Sequence, residues 1–396
     1  MVGARDIARS LSSARKAWQL SHRQLAVRAD ISEREVRTAE RSARVDASAL
    51  AALASALGGS LDDLLQGRDF WAAPAIALKS ISNVIDVADV QGGISRVAPV
   101  ARDFAALATH MELPDLWSSR GAALGPTGIS GPPVEQAEKL AALVRAKLGL
   151  GRVEPVASIR SAMASLGIAT FYTGFASEEI DGAMWRSRDT PPCVVVNARS
   201  RRGLLTAFRM TFAHELCHAL FDRPKRGDAG LVDTRTPRGS ALEQRANAFA
   251  AYFLAPRNAI RRFIADSGLR HKDVPSAQSL LALSLHFGVG VEAMAWHLVH
   301  CGYWTEETVL ANRDLRSPQF ASADDRELRP TEAESLVPVE RRGLLLDLAT
   351  RAFANEQISA ARLRELLSLP ITSNWKLLLT ERHVAPDTEH HVDWAA

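Results

Sequence analysis

One five-residue motif restricts what this chain can fold into more than any other feature of its sequence. His214-Glu-Leu-Cys-His218 lies in an apolar stretch, residues 208–221, whose hydrophobic spacing predicts a helix. A separation of four residues puts both imidazoles on one face of that helix. Two ring nitrogens placed in this way can bind one Zn²⁺ ion, and Glu215 beside them can act as a general base. The competing interpretation is a helix that carries two surface histidines.

A second predicted helix supplies a candidate for the third ligand that a catalytic zinc site requires. Residues 241–256 have an amphipathic helical pattern, in which Glu243 and Asn247 are four residues apart and share one face. We predict that Glu243 is the third zinc ligand. Asn247 is then expected to accept a hydrogen bond from a ligand imidazole and fix its tautomer. Alternatively, Glu243 only stabilises the N-terminus of its helix.

These two helices resemble the ImmA/IrrE family of zinc metallopeptidases. The similar blocks are Thr211-Phe-Ala-His-Glu-Leu-Cys-His218, Glu243-x-x-Ala-Asn-x-Phe-Ala250, Leu254-Ala-Pro256, Gly182, the strand ending at Asn197, and Phe287-Gly-Val-Gly-Val291. The resemblance covers about residues 134–305. It implies a gluzincin-like domain in which His214, His218 and Glu243 bind one Zn²⁺ per chain and Glu215 is the catalytic base.

Two positions depart from the family pattern without removing a ligand. Cys217 stands where the family usually has Gly, and Ala255 stands where it usually has Met. Cys217 is interpreted as a small buried hydrophobic residue, with a redox-sensitive thiol near the metal as the alternative. No oxyanion-stabilising residue is identifiable, and the candidates by residue type alone are Tyr172, Tyr252, His271 and His286. Packing is the simpler role for His286, His297 and His300, because they lie in apolar helical segments.

The N-terminal region has the spacing of a helix-turn-helix. Ser21 and Ser32 are predicted to cap two successive helices, with the turn at residues 29–31 between them. The pattern resembles the Xre-type repressor family over about residues 5–67. The residues that carry this second resemblance are Leu25, Ala26, Ile31, Ser32, Val36 and Glu40.

The second resemblance implies that the second helix enters the major groove of a double-stranded DNA operator, bound by a homodimer. The residues expected to face bases or phosphates are Glu33, Arg34, Arg37 and Thr38, and those expected to hold phosphates are Gln24, Arg15, Lys16, Arg23 and Arg28. Residues 1–45 carry ten Lys and Arg against five Asp and Glu, whereas the whole chain carries only +3. The basic balance is therefore local to this module. The alternative is a helical bundle that serves dimerisation only.

The rest of the sequence indicates a multi-domain protein that is mainly α with a small β-sheet (α+β). Short β-type runs occur at residues 168–172 and 193–196, and helical patterns surround them. The predicted divisions are a DNA-binding domain at 1–69, a helical connector and linker at 70–133, a zinc peptidase domain at 134–310, and a helical C-terminal region at 311–396. The linker is assigned to residues 118–133 because they contain four Gly and three Pro.

Composition and cysteine usage limit the cellular setting. Hydrophobic residues make up 47% of the chain and charged residues 23%, which is typical of a globular protein. Three scattered cysteines, no apolar run of membrane-spanning length and no signal-peptide pattern predict a cytoplasmic protein without a membrane partner.

The sequence as a whole predicts a transcription regulator that carries a zinc-dependent peptidase domain. By family resemblance, that domain is expected to cleave one specific regulatory protein, such as a repressor or an antitoxin, in a stress response. A first alternative is a regulator whose peptidase-like domain senses a small ligand or a nucleic acid and cleaves nothing. A second is an antitoxin-like component of a toxin–antitoxin pair.

Overall fold

Helices dominate the computed structural model of this chain, and one small sheet lies among them. The structure describes residues 3–17, 20–57, 61–66, 75–76, 87–124, 128–185, 190–200, 205–222, 229–234, 240–268, 274, 276–316, 330–370 and 374–381. None of the described helices is by itself long and apolar enough to cross a membrane, and the one pair that passes in combination is bent by 103°.

Five helices form the N-terminal part of the fold. They are α1 (Ala4–Ala17), α2 (His22–Ala29), α3 (Glu33–Ser42), α4 (Ala47–Ala56) and α5 (Leu61–Gln66). Ser21 and Ser32 each form a reciprocal capping box at the start of α2 and α3, as their positions predict. Asp30 takes a left-handed backbone conformation, with φ of 53°, and so turns the chain from α2 into α3.

A long helix, α6 (Val87–His110), follows these five. The sequence pattern predicts only its second half, near residues 97–111, because Gly92, Gly93 and Pro99 weaken the helical signal. Gly93 has a packing role, because a β-carbon there would lie 2.1 Å from Cε1 of Phe175. The helix and the sheet approach each other closely at this point.

The sheet has five strands in the spatial order β1-β5-β3-β4-β2. The strands are β1 (Ala75–Ile76), β2 (Ala169–Thr173), β3 (Ile180–Trp185), β4 (Cys193–Asn197) and β5 (Ala229–Thr234). Strand β2 runs parallel to β4, whereas β3 is antiparallel to both β4 and β5. The two predicted β-type runs correspond to β2 and β4, and both of these strands are fully buried.

Eight described helices contribute to the core on one face of the sheet. They are α7 (Pro133–Lys147), α8 (Ile159–Ala164), α9 (Leu205–Phe221), α10 (Ala241–Leu254), α11 (Arg257–Asp266), α12 (Ala277–Phe287), α13 (Val291–His300) and α14 (Glu306–Ala311). The sequence has helical periodicity over residues 241–265 and 276–300, and each of these stretches forms two helices. Pro256 lacks the amide donor that would continue α10, and Gly288 ends α12 with a φ of 62°.

The predicted linker is partly structured. Residues 117–121 and 122–124 form helical turns, and Leu124 is buried. Trp117 packs beside Gly167, where a β-carbon would lie 2.1 Å from the Trp117 amide nitrogen. Gly121 is tightly packed as well, since a β-carbon there would lie 2.5 Å from the Leu166 carbonyl oxygen, so the stretch up to residue 124 is packed structure.

Two hydrophobic cores lie on opposite faces of the sheet. One is shared by the N-terminal helices, α6 and four C-terminal helices, α15 (Glu332–Ser335), α16 (Leu344–Ala354), α17 (Ala360–Leu366) and α18 (Lys376–Glu381). The other is shared by α7 to α14. Side chains alternate along β2, so that Phe171 belongs to the first core and Tyr172 to the second.

Candidate metal centre

The centre lies where α9 and α10 pack against each other. The Nε2 atoms of His214 and His218 are 2.9 Å apart. Glu243 reaches across from the first turn of α10, with Oε2 3.3 Å from Nε2 of His214 and Oε1 3.6 Å from Nε2 of His218. Two imidazoles and one carboxylate from two helices therefore converge on one point, and both histidines are buried.

Each imidazole is held through its other nitrogen. Nδ1 of His214 lies 3.1 Å from Oδ1 of Asn247, and Nδ1 of His218 lies 2.7 Å from Oδ2 of Asp222. Because both partner atoms are acceptors, each Nδ1 carries the hydrogen and each Nε2 directs its lone pair towards the other ring and Glu243. Asn247 is thus positioned as its spacing from Glu243 predicts.

Asp222 is a functional candidate that the sequence reasoning missed, and Arg245 is another. The Asp222 carboxylate bridges His218 and the guanidinium of Arg245, which comes from α10. Burial would raise the pKa of Asp222, but the hydrogen bonds from His218 and Arg245 outweigh it and hold that pKa below its usual value. The signal was present in the sequence, since Asp222 follows His218 by four residues and so lies on the same helix face.

The donor set fits a metal ion of the zinc type. His214, His218 and Glu243 offer ligand atoms that all lie within 4.8 Å of one another. Zinc bonds to nitrogen and oxygen of about 2.0–2.2 Å place neighbouring ligands of a tetrahedral site roughly 3.3 Å apart. The three separations of 2.9, 3.3 and 3.6 Å span that value. Neutral imidazoles with a carboxylate, each imidazole held by a second acceptor, are the usual donors of such a site.

Glu215 lies next to the sheet. It is fully buried on α9, and a β-carbon at Gly182 of β3 would lie 3.6 Å from its Oε1 and 2.8 Å from Cγ2 of Thr211. The absence of a side chain at position 182 therefore brings the backbone of β3 close to the carboxylate. Glu215 immediately follows the ligand His214 on α9, so the candidate base and the two histidines are carried by one helical segment.

Cys217 is packed away from solvent. Its side chain is completely buried, and burial raises the pKa of the thiol to about 12, so it is protonated at neutral pH. These properties favour the small buried hydrophobic residue over the redox-sensitive thiol.

The oxyanion candidates are occupied elsewhere. The Tyr172 ring packs edge-on against Phe208 and Phe212 in the core. The hydroxyl of Tyr252 accepts a hydrogen bond from Arg257, and His286 packs against Phe263. His271 lies outside the described residues.

His297 has the packing role expected of it. Its Nε2 donates to the Ala255 carbonyl over 2.7 Å, and burial lowers its pKa to about 4. It is therefore neutral at neutral pH and serves to hold the end of α10.

Among the residues assigned to DNA contact, several lie on α3 and Gln24 lies at the start of α2. Arg34 and Arg37 are exposed on α3, where Arg37 pairs with Glu33 over 2.6 Å, and the Thr38 hydroxyl donates to the Arg34 carbonyl. Gln24 is exposed at the start of α2, where its side chain accepts from the Ser21 amide in the capping box.

Two of the arginines assigned to phosphates are used inside the protein, which corrects that prediction. Arg15 is largely buried in a bidentate pair with Glu40. Arg28 donates to Ser95 of α6 over 2.6 Å, and burial, together with the nearby Arg96, lowers its pKa to about 10. The Arg15 guanidinium therefore links α1 to α3, and the Arg28 guanidinium links α2 to α6. A basic residue in the sequence does not reveal such an internal contact.

Comparison with known proteins agrees with this geometry. Residues 163–298 match the family model of the IrrE N-terminal-like domain, whose members are zinc-dependent peptidases. The matched stretch is about a third of the chain, and it begins in α8, includes the metal centre and ends in α13. Among curated proteins no significant match was found. This part of the chain is thus similar to a zinc-peptidase domain.

Replacing Asp222 by Asn is expected to weaken zinc binding roughly 10–100-fold, the usual effect of removing the partner of a ligand histidine. Asn keeps the shape of the side chain but loses the charge that His218 and Arg245 contact. Competition with a chromophoric chelator measures the affinity. Asp266→Asn is the matched control, because Asp266 also pairs with an arginine, Arg262, over 3.0 Å but lies on the exposed helix α11. Equal affinity in wild type and Asp222→Asn would show that Asp222 does not support the site.

Proposed function

We propose that this protein is a zinc-dependent peptidase joined to a DNA-binding module, and that it cleaves a specific regulatory protein such as a repressor or an antitoxin. The observation that carries the peptidase assignment is the convergence of His214, His218 and Glu243 beside a buried Glu215. The family match over residues 163–298 supports it independently, because it rests on sequence alone.

The chain's own residues account for the proton movements of peptide hydrolysis. His214, His218 and Glu243 would hold the zinc ion, which supplies Lewis acidity to a peptide carbonyl and to water. The Glu215 carboxylate takes a proton from the attacking water and delivers it to the leaving amine. Asn247 and Asp222 keep both imidazoles in the tautomer that binds metal through Nε2. The buried surroundings of Glu215 exclude bulk water and strengthen these charge interactions.

The metal content and the activity test this assignment together. Purified full-length protein is expected to contain about one zinc per chain, as a site with three protein ligands requires. It should also hydrolyse a partner protein encoded next to it, and a chelator should stop the reaction until zinc is returned. Protein that contains no zinc after reconstitution would overturn the proposal.

The N-terminal helices are proposed to bind an operator as a dimer, with α3 in the major groove. Support comes from the two capped helices α2 and α3, from the turn at Asp30, and from the exposed pair Arg34 and Arg37. The ion pair with Glu33 holds the Arg37 guanidinium on the exposed face, where it can reach the edge of a guanine.

Replacing Arg37 by Ala in the full-length protein is expected to weaken operator binding by about 1–3 kcal/mol, the usual value of a bidentate base contact. The full chain is needed because Arg28 of α2 donates to Ser95 of α6 and the N-terminal helices share one core with α6. Arg262→Ala is the matched control, since Arg262 is equally exposed and also pairs with a carboxylate four residues away. Fluorescence anisotropy at several salt concentrations measures the binding. No preference for any upstream palindrome over random duplex would leave only the dimerisation role.

A further inference from the structure

Strand β3 lies against the candidate catalytic residue. Gly182 faces α9, where a β-carbon would contact Thr211 and lie 3.6 Å from Oε1 of Glu215. One side of β3 is paired with β4 from Gly182 to Trp185. A peptide that is to be cut beside Glu215 can therefore reach the β3 backbone only along its other side.

That other side of β3 is occupied by a segment of this chain. Strand β5 pairs antiparallel with β3, with Asp233 opposite Gly182, Val232 opposite Ala183 and Leu231 opposite Met184. In sequence β5 lies between α9, which carries His214 and His218, and α10, which carries Glu243. The segment that joins the two ligand-bearing helices in sequence thus contributes a strand of the sheet.

An extended segment on this side of β3 has the form of a bound peptide. Peptides commonly bind by adding a strand to a sheet, where backbone hydrogen bonds give affinity regardless of sequence. We propose that β5 is an internal competitor of the substrate, which occupies the peptide position on β3 and must leave it before an extended peptide can pair there. This inference rests on the proposed peptidase function and adds its regulation.

The pairing of β5 with β3 is irregular. Strands β2 and β4 form five consecutive pairs without interruption, and both are buried throughout. The β3–β5 ladder shifts register between Ile180 and Gly182, and on its far side β5 meets only the two residues of β1 within the described part of the chain. An interrupted ladder on one side and a short neighbour on the other make β5 easier to separate from β3 than an unbroken ladder of the same length would be.

A disulfide across the two strands tests whether β5 must leave. Opposed residues of an antiparallel pair have Cα atoms about 4.5–5.5 Å apart, within the range that a disulfide spans. Ala183→Cys with Val232→Cys should form the bond under oxidant, since the native Cys193 and Cys217 are fully buried, and burial raises the pKa of the partly buried Cys301 thiol to about 12. Ala183→Cys alone is the matched control.

The probe is a labelled synthetic peptide with the sequence of residues 228–235, added to zinc-loaded protein that also carries Glu215→Gln so that it is not cut. Reduced double-cysteine protein should bind it at least tenfold more tightly than the oxidised form. Equal binding in the two states would overturn the proposal, as would the absence of binding to every form, the proline variants below included.

Proline substitutions make the test independent of disulfide formation. Successive amides of β5 point alternately towards β3 and towards β1, so only one of Leu231→Pro and Val232→Pro removes a hydrogen bond to β3. That variant should bind the peptide at least tenfold more tightly than wild type, and the other serves as its control. Unchanged zinc content and melting temperature establish that the fold is intact. If both variants have a lowered melting temperature, the comparison of oxidised and reduced double-cysteine protein decides.

Hydrolysis of the same labelled peptide by double-cysteine protein that has the native Glu215 separates this proposal from the peptidase assignment. Hydrolysis that is equal in the oxidised and reduced forms means that β5 does not compete, while the peptidase function stands. Peptide binding that depends on the disulfide, in zinc-loaded protein that cleaves nothing, supports the competitor role and contradicts the peptidase function. Hydrolysis that stops on oxidation and returns on reduction supports both.

Discussion

Replacing Glu215 by Gln is expected to slow peptide hydrolysis roughly 10²–10⁴-fold, or by about 3–5 kcal/mol in activation free energy. Gln has almost the same shape, and Glu215 is not among the three ligands, so the zinc content and the fold should be unchanged. The amide cannot accept the proton of the attacking water, and this step is what the variant loses. Single-turnover cleavage of the partner protein measures the effect.

The same variant separates peptidase from sensor when it is studied in cells. Expression of the genes under the operator should lose its response in a Glu215→Gln strain if the protein acts by proteolysis. A sensor requires the shape of the cleft and its metal, but not that proton transfer. A normal response in Glu215→Gln, with loss of response in His214→Ala, would identify the metal as structural or ligand-binding and would contradict the enzyme assignment.

Replacing His214 by Ala is expected to remove the metal altogether. Only His218 and Glu243 then remain as ligands, and their atoms are 3.6 Å apart without a third donor. Zinc per chain should fall from about one to near zero after dialysis, because structural and catalytic sites rely on three or four protein ligands. Activity and metal content should therefore disappear together, which distinguishes this variant from Glu215→Gln.

His286→Ala is the control for removal of a histidine. His286 lies on α12 and packs against Phe263, away from the metal centre, so its loss should leave zinc binding unchanged. Circular dichroism establishes that both variants keep their helices. Full zinc retention in His214→Ala would mean that the ion binds elsewhere, and the assignment of the ligands would be wrong.

The metal centre was predictable because its spacing is local. His214 and His218 lie one helical turn apart, and Glu243 and Asn247 repeat the same interval on α10, so each helix presents its pair on one face whatever the rest of the fold does. The strands β2 and β4 were predictable for a similar reason, since both are short apolar runs bounded by turn residues.

The contacts that sequence reasoning missed depend on tertiary packing. The sequence suggests that Arg15 and Arg28 are surface cations. In the structure α3 supplies Glu40 to Arg15, and α6 supplies Ser95 to Arg28. Strand β5 is a six-residue segment without a strict alternation, and it becomes a strand because β3 offers it a partner. Trp117 packs beside the chain at Gly167 because the absence of a side chain there leaves room for it. None of these partners lies near its residue in sequence.

The core shared by the two ends of the chain has a consequence for C-terminally truncated forms of this protein. Leu348 and Leu363, near the C-terminus, lie in the same buried cluster as Leu25 and Val36 of the N-terminal helices. A premature stop codon after residue 330 would spare every metal ligand and every candidate DNA contact, yet it would remove α16, which packs on α6 and β2, from the core that α2 and α3 also share. Such a shortened product should expose apolar surface of α6 and β2 and be removed by cellular quality control. Mutations near the end of the gene are therefore expected to behave genetically like its complete loss.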